Sequence, residues 1–459
     1  MTPMSSALDG ALWSTPSIAA CFSDAARLDA MVRVEVALAL AEAEVGLIPA
    51  EAAARIAERL PQLVPFPAAL ADGTAAAGVV VPPLVQALRA ALGPDGDWLH
   101  YGATTQDIMD TALVLQLRDA LALVSADLEA VIAALGTLAR NHAATPMAAR
   151  TRGQVATPTT LGLRAAGWRG PLVRARRRLP AVLDDVLLVQ LGGASGTLAA
   201  YGGHGGPLTA ALAQRLSLAA PAKPWHTERD GLATLASWCA TVAAACGRIG
   251  ADLALLARSE IAEIALPGGG SSTMPHKVNP TRAEALVALG RHAAHLVGPM
   301  HEAVMHTEER DIGAWAQEWI ALPPLVDAAA TALRHAGALV EQLKPRPARM
   351  AATLGLAGGA PLAEAMAFAL APAIGLTAAQ AVVKCALAAR REDETLVEAL
   401  RRMAADTLDP GIDWAAFADP ASHVGEAERL VAAALAADTP DHPTRSPQGR
   451  RPTKTEETR

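Results

Sequence analysis

The strongest constraint on the fold lies between Leu117 and Leu138. Leu117, Leu121, Val124, Leu128, Val131, Leu135 and Leu138 follow alternating steps of four and three residues without a miss. That is the heptad spacing of a helix packed lengthwise against other helices. Extended from about Asp107 to His142, such a helix spans roughly 50 Å at 1.5 Å per residue. A rod of that length outruns one compact domain and predicts a bundle that continues into other subunits. Composition points the same way: the chain is 52% hydrophobic and only 3% aromatic. Its apolar mass is chiefly Ala, Leu and Val, which favours helices over sheets.

The 459 residues suffice for two or three domains with a large shared core. Residues 1–103 read as a small helical domain, with a helix opened by Ser23 and Asp24 and stopped near Gly46–Pro49, and a second helix over Pro49–Leu60. Residues 104–346 read as the long-helix domain. Residues 347–437, broken by Gly and Pro, read as a third helical domain, and residues 438–459 as a disordered tail poor in apolar side chains. Two uncharged runs, Gly231–Gly247 and Ala365–Val383, are Ala-rich, and buried bundle helices explain them better than membrane spans. Cys21, Cys239, Cys246 and Cys385 have no metal or CxxC spacing and read as reduced, small core residues of a cytoplasmic protein. The net charge of −7 gives no hint of nucleic acid, so an anionic substrate needs a local basic pocket.

Four stretches carry chemistry. Residues 268–280 (GGGSSTMPHKVNP) join three glycines to Ser271, Ser272, His276, Lys277 and Asn279. A loop of this kind can close on a small anion, exclude water and hold a hydroxyl beside a cation. Pro280 fits the first turn of the next helix and Asn279 its N-cap. Residues 100–107 (HYGATTQD) place Thr104 three residues before Asp107, as in a capping box, and a helix N-terminus there suits a carboxylate. His100, Thr104, Thr105 and Gln106 are the binding candidates. Residues 150–158 (RTRGQVATP) carry Arg152 and Gln154, and residues 306–319 (HTEERDIGAWAQEW) carry Arg310. Guanidinium stays charged at any working pH and holds a carboxylate with two parallel hydrogen bonds. His292 and His295 have no third ligand, so no metal site is read there. His226 reads as a loop histidine satisfied by hydrogen bonds.

Together these motifs resemble the signatures of the fumarase/aspartase superfamily over about residues 10–437, in superfamily order. The resemblance implies an all-α fold of three helical domains assembling into a homotetramer with a twenty-helix core, each active site shared by three subunits. It implies Ser271 as the catalytic acid/base, supported by Lys277, with Thr104, Thr105, Gln106, Gln154, Ser272, Asn279 and Arg310 around the substrate, and neither cofactor nor metal. Where the superfamily's lyases place a proton-transferring histidine, this chain has Arg152, which can bind but not shuttle a proton. That departure, and the run Gly313–Trp319, are similar to the bacterial 3-carboxy-cis,cis-muconate cycloisomerase branch. The branch implies an isomerase that closes a lactone within 3-carboxy-cis,cis-muconate, a step of protocatechuate catabolism through the β-ketoadipate pathway. The proton donor is left open among Ser271, Lys277 and a histidine. A succinyl-substrate lyase such as adenylosuccinate lyase, or an inactive scaffold derived from a lyase, are the alternatives.

Overall fold

The computed structural model describes residues 6, 8–270, 273–356, 358–404 and 413–437. The expectations for Ser271, Ser272 and the tail 438–459 lie outside the described residues. The chain divides into two compact units, one of residues 1–134 and 171–346, the other of residues 135–170 and 347–459.

In the first unit, helix α1 (Asp24–Glu44) opens with Ser23 as N-cap, its hydroxyl accepting from the Ala26 N–H at 3.2 Å. Its inner face buries Leu28, Met31, Leu38 and two acids, Glu35 and Glu42. Helix α2 (Val81–Leu92) packs on the same apolar cluster through Val81, Leu84, Val85, Leu88 and Leu92. The next helix, α3 (Thr105–Asn141), has 37 residues. All seven heptad positions are buried, the most exposed being Leu138 at 9%. Helix α4 (Leu161–Val186) carries Pro171 and Pro180 inside it.

Helices α5 (Asp230–Leu256), α6 (Thr281–Glu302) and α7 (Ile312–Gln342) pack lengthwise as a bundle. The α5–α6 approach needs glycine: a Cβ at Gly250 would lie 2.5 Å from the Ala283 carbonyl oxygen. Helices α3 and α5 are long and apolar enough to cross a membrane by length and composition. The run Gly231–Gly247 falls inside α5, where Leu235, Ala236, Cys239, Val242 and Cys246 are buried in the bundle.

The second unit holds a feature that the sequence reading lacks: an antiparallel hairpin of β1 (Pro146–Thr151) and β2 (Gln154–Thr160). Arg152 and Gly153 form its two-residue turn with φ of 52° and 80°. Positive φ at both turn residues is what the twist of a tight hairpin requires, and Gly153 makes it accessible. The run Ala365–Val383 falls on two helices, Ala363–Ile374 and Leu376–Ala388, broken at Gly375. All four cysteines are free thiols; Cys239 and Cys246 are buried, but Cys385 is exposed and so is no core residue.

Among the described residues the strands form three pairs: β1–β2, then β3 (Ile264–Ala265) with β6 (Lys344–Pro345), and β4 (Gly269–Gly270) with β5 (Val278–Asn279).

Candidate active site

The start of α3 is built on one carboxylate. Asp107 is 1% exposed, and four donors converge on it. Oδ1 accepts from the Gly192 N–H at 2.8 Å and lies 2.9 Å from His226 Nε2. Oδ2 accepts from the N–H groups of Gly193 at 2.9 Å and Thr104 at 3.0 Å. The last bond is one half of the expected capping box. The two from Gly192 and Gly193 explain why residues 190–198 are glycine-rich: backbone N–H groups must come within hydrogen-bonding reach of a buried side chain. His226 is satisfied there, as a structural histidine would be.

Gln106, fully buried, ties three elements together. Its amide nitrogen donates to the His226 carbonyl oxygen at 2.9 Å and to Asp110 Oδ2 at 3.2 Å. Its amide oxygen accepts from Arg310 Nε at 2.9 Å. Arg310 also donates to the Ala194 carbonyl oxygen at 3.4 Å, and it makes no ion pair with Glu309 or Asp311. Asp311 instead caps α7, accepting from the N–H groups of Gly313 and Ala314 at 3.0 and 3.2 Å. With both amide hydrogens committed inside the protein, Gln106 holds the Arg310 guanidinium in place and has no donor left over.

Beneath this layer lies a charge network whose pairing no sequence pattern announced, although Trp315 and Glu318 fall in the Gly313–Trp319 motif. Arg229 is fully buried, between Asp110 (Nη1–Oδ2 2.7 Å) and Glu318 (Nε–Oε1 2.7 Å). Its guanidinium carbon stands 4.6 Å from the Trp225 ring centroid. Trp315 Nε1 donates to Asp110 Oδ1 at 2.9 Å. Burial pulls the Arg229 pKa down, but the two carboxylates outweigh it and hold the guanidinium charged. The motif's Trp315 and Glu318 thus brace the Asp110–Arg229 pair under α3.

His100 stands at the head of the same loop, with φ of 57°, a conformation uncommon outside glycine. Its Nδ1 lies 2.7 Å from Glu35 Oε1 of α1. Burial acts to lower the His100 pKa, yet the charge and hydrogen bond of Glu35 together raise it above the ordinary histidine value. Two residues on, Gly102 has φ of 69°, and a Cβ there would sit 2.6 Å from Tyr201 Cε1. That packing places Tyr201, one of the chain's two tyrosines, against the loop.

The first unit therefore gathers His100, Thr104, Thr105, Gln106 and Arg310. The side chains of Thr104 and Thr105 have no hydrogen-bond partner among the described residues, so both hydroxyls are free to meet a ligand beside the helix N-terminus. No hydrogen bond among the described residues joins Lys277 or Asn279 to this cluster. They stand on the β4–β5 ribbon, where Gly269 pairs with Asn279 and Gly270 with Val278; Lys277 is exposed. Gly268 is pressed against it, since a Cβ there would clash with the Asn279 carbonyl oxygen at 2.1 Å. The expected N-cap shifts by one residue: Pro280 occupies it, with no side-chain cap bond, and α6 begins at Thr281. Pro280 is fixed near the helical φ already, so the ribbon can run straight into α6. The Asn279 amide has no hydrogen-bond partner among the described residues. In the second unit, Arg152 and Gln154 are exposed at the hairpin tip.

The lyase family pattern matches residues 13–294. A 3-carboxy-cis,cis-muconate cycloisomerase of Pseudomonas aeruginosa is 43% identical over 91% of this chain and 93% of its own length. The chain belongs to the lyase family. An N-acetyl-S-(2-succino)cysteine lyase of Enterococcus italicus, also similar, is 36% identical over 86% of this chain and 88% of its own. Among solved structures, the 3-carboxy-cis,cis-muconate lactonizing enzyme from Pseudomonas putida superposes with a TM-score of 0.89 at 38% identity, covering 94% of this chain and 99% of that one. The all-α architecture expected from the motifs is that of this lyase family, and the chain is an enzyme of the lyase superfamily.

Proposed function

We propose that this chain is a 3-carboxy-cis,cis-muconate cycloisomerase that forms 4-carboxymuconolactone in protocatechuate breakdown. The observation that carries the reading is the near full-length 43% identity to a cycloisomerase. The site chemistry supports it. The substrate carries three carboxylates, and Arg310, the α3 N-terminus with its two free threonine hydroxyls, and the Asn279 amide are groups that bind such anions. Arg152 and Gln154, and the ribbon that carries Lys277 and Asn279, would join Arg310 and the α3 N-terminus from other subunits of a homotetramer, since Arg152, Gln154 and Lys277 are exposed in the single chain. Gln106 would act by orienting Arg310, and Ser271 and Ser272 would complete the closing loop.

In the reaction, a substrate carboxylate oxygen forms a bond to a diene carbon, and the displaced electron pair takes up a proton at the neighbouring carbon. Positive charge fixed around the carboxylate next to that carbon stabilises the intervening carbanion. The protein would be cytoplasmic and would run in sedimentation at about four times its 47.1 kDa chain mass.

The test follows loss of the conjugated diene by ultraviolet absorbance with purified protein and 3-carboxy-cis,cis-muconate. Turnover of the muconate supports the reading. A lyase acting on a succino compound is the second reading, favoured by the Enterococcus italicus relative. Cleavage of a succino-thioether with no muconate turnover would replace the first reading with the second.

A further inference from the structure

The cyclisation consumes one proton per turnover, because a carboxylate becomes a neutral ester while one C–H bond forms. Arg152 cannot supply it, since guanidinium does not give up its proton at working pH. Resting on the cycloisomerase reading, we infer that His100 is the proton donor, and that Glu35 is the positioning residue that fixes its ring.

Three features of the geometry carry this. The 2.7 Å bond from Nδ1 to Glu35 Oε1 pins one edge of the imidazole to α1. Nε2, on the opposite edge, has no partner among the described residues, and the side chain is 15% exposed, enough to meet a small ligand while excluding bulk water. The backbone at His100 sits at φ 57°, a local cost that the surrounding packing sustains. His100 lies four residues ahead of Thr104 and five ahead of Thr105, whose hydroxyls are proposed to hold the substrate.

The charged and titratable groups around His100 favour the imidazolium. On α1, Glu35 faces it directly; Glu42, two turns further on, is kept protonated by burial, with the nearby Glu35 charge adding to the effect. Asp107 of α3 favours the charged ring and Arg89 of α2 opposes it. Tyr201 stays a neutral phenol because burial raises its pKa. Glu35 is therefore the negative charge that the histidine meets at hydrogen-bonding distance.

The step balances. The carboxylate oxygen closes the C–O bond, the π pair of the attacked double bond moves to the adjacent carbon, and Nε2–H of the imidazolium gives its proton to that carbon. Neutral His100 then recovers a proton from solvent through its exposed edge.

The experiment measures kcat and KM for the muconate from pH 5 to 9 in the parent, Glu35→Gln, Glu35→Asp, His100→Gln and Glu42→Gln. The parent should lose kcat/KM at alkaline pH as His100 deprotonates. In Glu35→Gln that limb should move at least one pH unit lower, and Glu35→Asp should bring part of it back. His100→Gln should lower kcat about 10²-fold or more with a smaller change in KM. Glu42→Gln, a neutral isostere of a protonated acid, should keep the parent profile. An alkaline limb unmoved in Glu35→Gln, or a His100→Gln kcat within tenfold of the parent, overturns the inference. In parallel, ¹⁵N-histidine NMR of the substrate-free protein follows the His100 ring, assigned by its loss in His100→Gln. A ring that titrates identically with and without Glu35 refutes the pairing whatever the substrate proves to be. Absence of muconate turnover in the parent refutes the functional reading instead.

Discussion

Glu42 offers a direct test of how the interior of the first unit handles charge. It is fully buried on α1, and neither carboxyl oxygen has a hydrogen-bond partner among the described residues. Burial, reinforced by the Glu35 charge, pushes its pKa from 4.5 to about 9. Below pH 4.5 the folded and unfolded chains both hold the proton, and the group costs nothing electrostatically. Between 4.5 and 9 the unfolded chain releases the proton while the folded chain keeps it, so stability falls as pH rises, by about 1.4 kcal/mol per unit. At pH 7 the accumulated loss is about 3 kcal/mol, and above pH 9 it stops growing. Glu42→Gln keeps the shape and removes the titration. Urea midpoints of parent and variant at pH 5, 6, 7 and 8 should nearly coincide at the acid end. They should then separate by about 4 kcal/mol of unfolding free energy between pH 5 and 8, with the variant the more stable. A gap that stays constant across this range would show that the carboxyl ionises freely in the folded protein, and would refute the reasoning.

Four further outcomes follow from the site. Arg229→Met should destabilise the protein by about 3–5 kcal/mol in thermal or urea unfolding, because Asp110 and Glu318 would be left as unpaired buried charges. Gly102→Ala should destabilise it by about 1–3 kcal/mol, since it combines a positive φ with a clash against the Tyr201 ring, whereas Tyr201→Phe should be neutral or stabilising because it removes a buried hydroxyl with no partner. Gln106→Leu should raise KM for the muconate about tenfold or more with a smaller effect on kcat, since Arg310 loses the acceptor that orients it.

Local pattern determined a good part of this protein. The seven heptad residues announced α3 because periodicity is a property of the chain itself, and Ser23 and Asp107 announced helix starts because caps act within three residues. The glycine-rich runs and the Gly313–Trp319 motif were visible as patterns, but their purpose was not. Only the tertiary structure brought Gly192 and Gly193 to Asp107, some 85 residues away in sequence. The same holds for Arg229, which meets Asp110 across 119 residues and Glu318 across 89. It set Glu35 against His100 as well, across 65 residues. The hairpin at Arg152 was missed because its strands hold few β-branched residues beyond Val155 and a group of threonines, and its turn declares itself only through two positive φ values. The N-cap of α6 moved one residue from Asn279 to Pro280 because pairing with Gly269 claimed Asn279 for a strand. Sequence patterns report interactions between near neighbours. Burial, the pairing of distant charges and the ionisation they enforce depend on which segments the fold brings together.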